Sequence, residues 1–157
     1  MAEGEFALVR KYLDIALDRT ASWVGQHDLY AMLADAAVQQ RDQAGLQKYA
    51  PLAEEFASRY DHHLYQAIAH RARGVAHRLA GQHEDAGTRL ELALGLFQEL
   101  GARWQIGRTY FELGELAAAQ ADALSAREHF TRALEKFVEM QAAPDTARTQ
   151  AALGRLA

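Results

Sequence analysis

The sequence predicts an all-α fold in which antiparallel helix pairs stack as repeats, an α-solenoid. Three observations predict it. Half the residues are hydrophobic, with Ala and Leu dominant, and only 2 prolines interrupt 157 residues, a composition that favours helix. Apolar residues recur at helical spacing: Ala86, Leu90, Ala93, Leu94, Phe97 and Leu100 form one stripe, and Ala126, Phe130, Ala133, Leu134, Phe137 and Met140 another. The two stripes are also related by a shift of 40 residues, which superposes Gly74 on Gly114, Ala86 on Ala126, Leu90 on Phe130 and Phe97 on Phe137. These matches fall on small and apolar positions, which packing constrains, and a fixed period of this size signals stacked repeats.

Taken in order, the first helix is expected over residues 5–20, where Phe6, Val9, Leu13, Ala16 and Leu17 share a face. By register it is the second helix of a preceding unit. A divergent repeat follows over 22–60, with Ala34 at the position of Gly74, Tyr30 and Leu33 before it, and Leu46, Ala50 and Ala53 after it. Pro51 lies inside the second helix of that unit, where it should remove one hydrogen bond and kink the helix or end it early. The second repeat occupies 61–101 and the third 102–142. A last helix over 145–157 carries Arg148, Leu153 and Gly154 at the positions of Arg108, Leu113 and Gly114. Asp61, Asp122 and Asp145 sit at expected helix starts, Ser125 with Glu128 reads as a capping box, and Pro144 breaks the chain before the last helix. Gly81 and Gly101 fall in turns. The expected total is about eight helices.

Composition excludes several function classes. There is no Cys, so disulfides, thiolate-bound zinc and cysteine nucleophiles are ruled out. With 17 basic and 21 acidic residues the net charge is −4, which gives no global attraction to nucleic acid or anionic lipid. The N-terminal MAEGEFALVRKYLD is charged where a signal peptide is apolar, and no apolar run approaches a membrane span. A soluble, cytoplasmic protein without nucleic-acid or membrane partners is expected.

No catalytic motif is present. GxxxxGK[ST], GxGxxG and GxSxG are all missing, and the adjacent pairs Glu54–Glu55 and Glu84–Asp85 point to different sides of a helix. No enzyme activity and no cofactor is expected. His63, His70 and His77 line one helix face, but seven residues of helix rise roughly 10 Å, too far for adjacent ligands of one ion. They read as structural histidines, and no metal is expected. Trp23 and Trp104 stand near helix starts, where an aromatic fills the core between repeats.

The third repeat offers Tyr110, Leu113 and Gly114 in its first helix, then Ala126, Phe130 and Ala133 in its second. This pattern resembles the tetratricopeptide repeat, with Ala117 standing where that family favours an aromatic. The second repeat keeps Gly74, Ala86, Leu90 and Ala93, and the resemblance covers residues 28–157. The long period is similar to that of repeat arrays in bacterial signal-transduction ATPases and LuxR-type regulators. The resemblance implies a right-handed solenoid whose first helices line a concave groove that binds a protein or peptide, without catalysis.

In that register the groove rows are Asp28, Ile68, Arg108 and Arg148; Ala31, Arg71, Phe111 and Ala151; and Asp35, Val75, Glu115 and Arg155, with Arg78 one turn further. The groove is expected to be acidic at its N-terminal end and basic at its C-terminal end, with Phe111 exposed. Arg71, Arg78, Arg108, Phe111, Arg148 and Arg155 are therefore the candidate binding residues for an acidic, partly apolar peptide. The Lys/Asn/Arg clamp by which some family members grip a carboxylate is not reproduced, since Val75 and Glu115 occupy groove positions. The alternative expectation is homodimerisation through unpartnered faces of the terminal helices, with Leu153 and Leu156 at one end and Phe6, Val9 and Leu13 at the other.

Overall fold

One turn, repeated every 20 residues, builds the molecule. The computed structural model describes residues 26–156, together with Leu8, Lys11, Tyr12 and Ile15, which have helical backbone. Seven helices follow one another over 26–156: α1 (Gln26–Gln40), α2 (Gln43–Arg59), α3 (His63–Leu79), α4 (His83–Glu99), α5 (Arg103–Ala119), α6 (Ala123–Glu139) and α7 (Ala143–Gly154). The expected helix over 5–20 and Trp23 lie outside the described residues, those four positions excepted.

At the six joins Arg41, Asp61, Gly81, Gly101, Ala121 and Gln141 take φ between 48° and 76°. Each donates its N–H to the carbonyl three residues back, at 3.0–3.3 Å. The next residue donates to the carbonyl five back: Gln82 to His77, Ala102 to Phe97 and Asp122 to Ala117, each at 2.9 Å. This is a Schellman ending, which satisfies the last carbonyls of a helix with a left-handed residue just past it. The same residue then starts the following helix, its own carbonyl accepting from four residues on, as Asp122 does from Ala126 at 3.0 Å. Helices α2 to α6 are accordingly all 17 residues long.

Side chains refine the starts. Asp42 accepts from the Gly45 N–H and Asp122 from the Ser125 N–H, both at 3.0 Å. The Ser125 hydroxyl also donates to Asp122, at 2.6 Å. The expected Ser125–Glu128 capping box is thus replaced by an Asp122 cap three residues earlier, and Glu128 pairs with Arg132 instead. Asp61 holds the left-handed turn position, and His62 is the residue that opens α3. Pro144 stands in the first turn of α7, where its missing N–H costs nothing. Pro51 does not end α2 early, for the helix runs through to Arg59. Pro51 and Gln47, whose carbonyl loses its donor, are both exposed, so water can supply that bond.

Neighbouring helices pack in sequence, and beyond them the odd-numbered helices meet: α1 with α3, and α3 with α5. That places the odd helices on one side of the stack and the even ones on the other. Two glycines allow the closest approaches. A Cβ at Gly74 would lie 2.7 Å from Leu90 Cγ, and one at Gly114 would lie 2.6 Å from Phe130 Cδ1. Leu90, Phe97, Phe130 and Phe137 from the even helices fill the core between layers. Leu153 and Leu156 are half-buried against the cluster that holds Phe130 and Phe137, so this terminal face packs inward. Trp104 is 42% exposed rather than core, and its Nε1–H donates to Asp145 at 3.0 Å. No helix among the described residues is long and apolar enough to cross a membrane.

Candidate functional site: the arginine-lined inner face

Because odd helices pack on one another, residues 40 apart on their inner rows come together, and the charges there meet. Two carboxylates organise them. Asp35 on α1 receives Arg71 of α3 on one oxygen and Arg108 of α5 on the other, each at 2.8 Å. The Arg71 and Arg108 side chains are 0% and 2% exposed. Arg71 lies over the Phe97 ring and also donates to the Gln105 carbonyl at 3.3 Å, while Arg108 lies over Trp104.

Glu112 on α5 is the second centre. One of its oxygens receives Arg41, from the turn after α1, at 2.5 Å, and Arg78 of α3 at 3.3 Å. Phe111 lies beneath two guanidinium groups, that of Arg148 at 4.2 Å and that of Arg41 at 5.9 Å from its centroid. Arg148 also donates to Gln39 at 3.1 Å and lies 3.4 Å from Asp145. At the outer edge Arg155, 63% exposed, donates to Glu115 at 3.0 Å.

The structure brings all five candidate arginines and their aromatic neighbour Phe111 to one face, but it changes their roles. Arg71 and Arg108 are buried framework residues, and Phe111, only 2% exposed, is core. The expected gradient, acidic at one end and basic at the other, is instead closed on itself. Asp35 pairs with arginines 36 and 73 positions later, and Arg148 reaches Gln39, 109 positions earlier. The stack therefore curves tightly enough for α5 and α7 to reach α1. Arg78 is nearly buried, so Arg41, Arg148 and Arg155 form the accessible part. Arg41 and Glu112 were not legible as site residues: one sits in a turn, the other beside the row rather than in it.

Burial and charge compete here. Burial raises the Asp35 carboxyl, but Arg108 and Arg71 outweigh it and hold the pKa below its ordinary value. Glu112 is likewise raised by burial and brought below its ordinary value by Arg41 and Arg78. Burial, aided by Arg108, pushes Arg71 down to about 10, so it stays cationic at neutral pH. Burial also lowers Arg78 and Arg148, which the nearby carboxylates do not fully offset. Among the described residues, the buried Nε–H groups of Arg71, Arg78 and Arg148 find no acceptor. The face thus gathers guanidinium groups that share few carboxylates and keep donors to spare among the described residues.

The histidines are engaged elsewhere. His70 contacts Arg89 at 3.0 Å and Glu54 at 3.8 Å, and burial lowers its pKa. His77 bonds Gln82 at 2.7 Å. Among the described residues no three His, Asp or Glu side chains gather as a metal site would require. No protein-family model matches this chain, and no curated protein matches it.

Proposed function

We propose that the chain is an interaction scaffold of the tetratricopeptide-repeat kind, of the sort carried by bacterial regulators, that binds an acidic segment of a partner protein. The reading rests on one observation above all: the inner face gathers Arg41, Arg78, Arg148 and Arg155 at one mouth of a chain whose net charge is −4. The stacked-helix architecture supports it, since such folds present a continuous concave surface held rigid by its neighbours. Arg71, Arg108 and Phe111 serve as the frame on which that mouth is built, and the half-exposed guanidinium groups make the contacts. Guanidinium forks recognise carboxylates with defined geometry, so acidic side chains interleaved with apolar ones suit the surface.

The test is charge reversal at the accessible arginines, Arg148→Glu with Arg155→Glu, read by calorimetric titration with an acidic helical or extended peptide. Affinity should fall by about tenfold or more, as loss of a charge-assisted contact implies. Association should also slow as salt rises, since the charges are near the surface. Affinity that does not change in the double variant would remove this assignment.

A further inference from the structure

The mouth of the inner face is short of negative charge in a way that specifies its ligand more closely. Six arginines lie in the ion pairs of the inner face, Arg41, Arg71, Arg78, Arg108, Arg148 and Arg155, against four carboxylates, Asp35, Glu112, Glu115 and Asp145. The surplus is two positive charges over the whole face, both opposite in sign to the chain as a whole. One of them lies in the buried Asp35–Arg71–Arg108 frame and one at the mouth, where Arg41, Arg78, Arg148 and Arg155 face Glu112, Glu115 and Asp145. Asp28 lies at the other end of α1, roughly 20 Å along the helix from Arg41, where it holds the Tyr65 hydroxyl.

The donors are also under-used. Arg41, Arg78 and Arg148 enter from three different elements, the α1–α2 turn, α3 and α7, and meet around Glu112 and Phe111. Arg41 and Arg78 share a single Glu112 oxygen, and the buried Nε–H groups of Arg78 and Arg148 have no acceptor among the described residues. A buried cationic donor left without an acceptor is unfavourable, and a bound oxyanion would supply the missing oxygens. A planar carboxylate matches one guanidinium fork and carries one charge. A tetrahedral oxyanion presents acceptors in several directions and can carry two. Arg41 and Arg148 keep 31% and 35% of their side-chain surface exposed, so the approach is open.

We infer that Arg41, Arg78 and Arg148 hold a phosphate-type dianion, either free phosphate or a phosphorylated side chain of the partner. This deepens the proposal of an anion-recognising scaffold and rests on it. Glu112 then serves as the fixed spacer that keeps three like charges together when the site is empty.

The experiment is a calorimetric titration of the whole chain with inorganic phosphate, chloride replacing it in the reference so that ionic strength is constant. Saturable binding is expected, with acetate about tenfold weaker or more because it brings one charge and one planar fork. Arg148→Gln, and independently Arg41→Gln, should weaken phosphate by about tenfold, whereas Arg103→Gln, whose exposed partner is Glu139, should not. Circular dichroism of each variant confirms that it is folded. A phosphoserine peptide that binds much more tightly than phosphate identifies the partner-borne source, and equal affinity identifies the free ion. No saturable phosphate binding, equal affinity for acetate, or indifference to both Arg148→Gln and Arg41→Gln would overturn the inference. Should that occur while an acidic peptide still depends on Arg148 and Arg155, the phosphate assignment alone falls and the scaffold reading stands.

Discussion

Replacing Gly114 by Ala should destabilise the protein, whereas the same change at Gly95 should stabilise it. Both glycines lie inside helices, α5 and α4, and in isolation each costs roughly 0.5–1 kcal/mol relative to Ala through backbone entropy. What differs is the space around them. A Cβ at Gly95 meets nothing within 4 Å, so the entropy term stands alone and a gain of about 0.5–1 kcal/mol follows. A Cβ at Gly114 would sit 2.6 Å from both Cδ1 and Cε1 of Phe130 and 2.9 Å from its Cγ. Phe130 is 1% exposed and backed by the tilted Phe111 ring at 5.3 Å, so it has little room to recede. Overpacking of this kind costs about 1–3 kcal/mol, and the helix gain offsets part of it, leaving a net loss of about 1–2 kcal/mol. At about 2–4 °C per kcal/mol for a chain of this length, Tm should fall by roughly 2–8 °C for Gly114→Ala and rise by roughly 1–4 °C for Gly95→Ala. Thermal unfolding followed by circular dichroism measures both, and Phe130→Leu should relieve part of the Gly114→Ala loss by clearing the ring. A Gly114→Ala protein that melts higher than wild type, as Gly95→Ala should, would refute the close approach of α5 and α6.

Two further outcomes follow from the inner-face charges. Asp35→Asn removes the carboxylate that Arg71 and Arg108 share, and because it is 25% exposed the loss should sit near the low end of the roughly 3–5 kcal/mol for breaking a buried pair; chemical denaturation reads it, and a loss below about 1 kcal/mol would mean water already screens the pair. The acid limb of stability gives the second: Asp35 and Glu112 are held below their ordinary values of 3.8 and 4.5, so their contribution is full above those values and is lost as pH falls through the folded pKa values. Urea midpoints should therefore drop below about pH 4, less steeply in Asp35→Asn than in wild type, and equal slopes would show that Asp35 is not coupled to folding.

What the sequence discloses and what it hides differ in range. The pairing of Gly74 with Leu90 and of Gly114 with Phe130 is legible because tight packing restricts residue type, and the 40-residue shift repeats it. The 20-residue half-period is not legible, although it governs every turn. Its left-handed position is satisfied by backbone hydrogen bonds, so Arg41, Asp61, Ala121 and Gln141 serve there as well as Gly81 and Gly101. At the start of α6 two caps competed, and Asp122, which reaches both the N–H and the hydroxyl of Ser125, won over Ser125 itself. The inner rows were legible as rows, since the spacing i, i+3, i+7 follows from helix geometry. Their exposure was not, because it depends on curvature. A shallow superhelix would leave Arg71, Arg108 and Phe111 in an open groove, while this one brings Arg108 onto Asp35 and Arg148 onto Gln39. Curvature accumulates from small rotations between neighbouring units, and no local residue pattern records it.

That curvature carries the account of the site, and the contact between Asp35 on α1 and Arg108 on α5 reports it most directly. A double-mutant cycle of Asp35→Ala and Arg108→Ala, measured by urea unfolding, isolates the pairwise energy. The closed inner face predicts a coupling of about 1.5 kcal/mol or more, as close charge pairs held away from water give. Strictly additive losses, within about 0.5 kcal/mol, would mean that α5 does not reach α1 and that the inner face is an open groove.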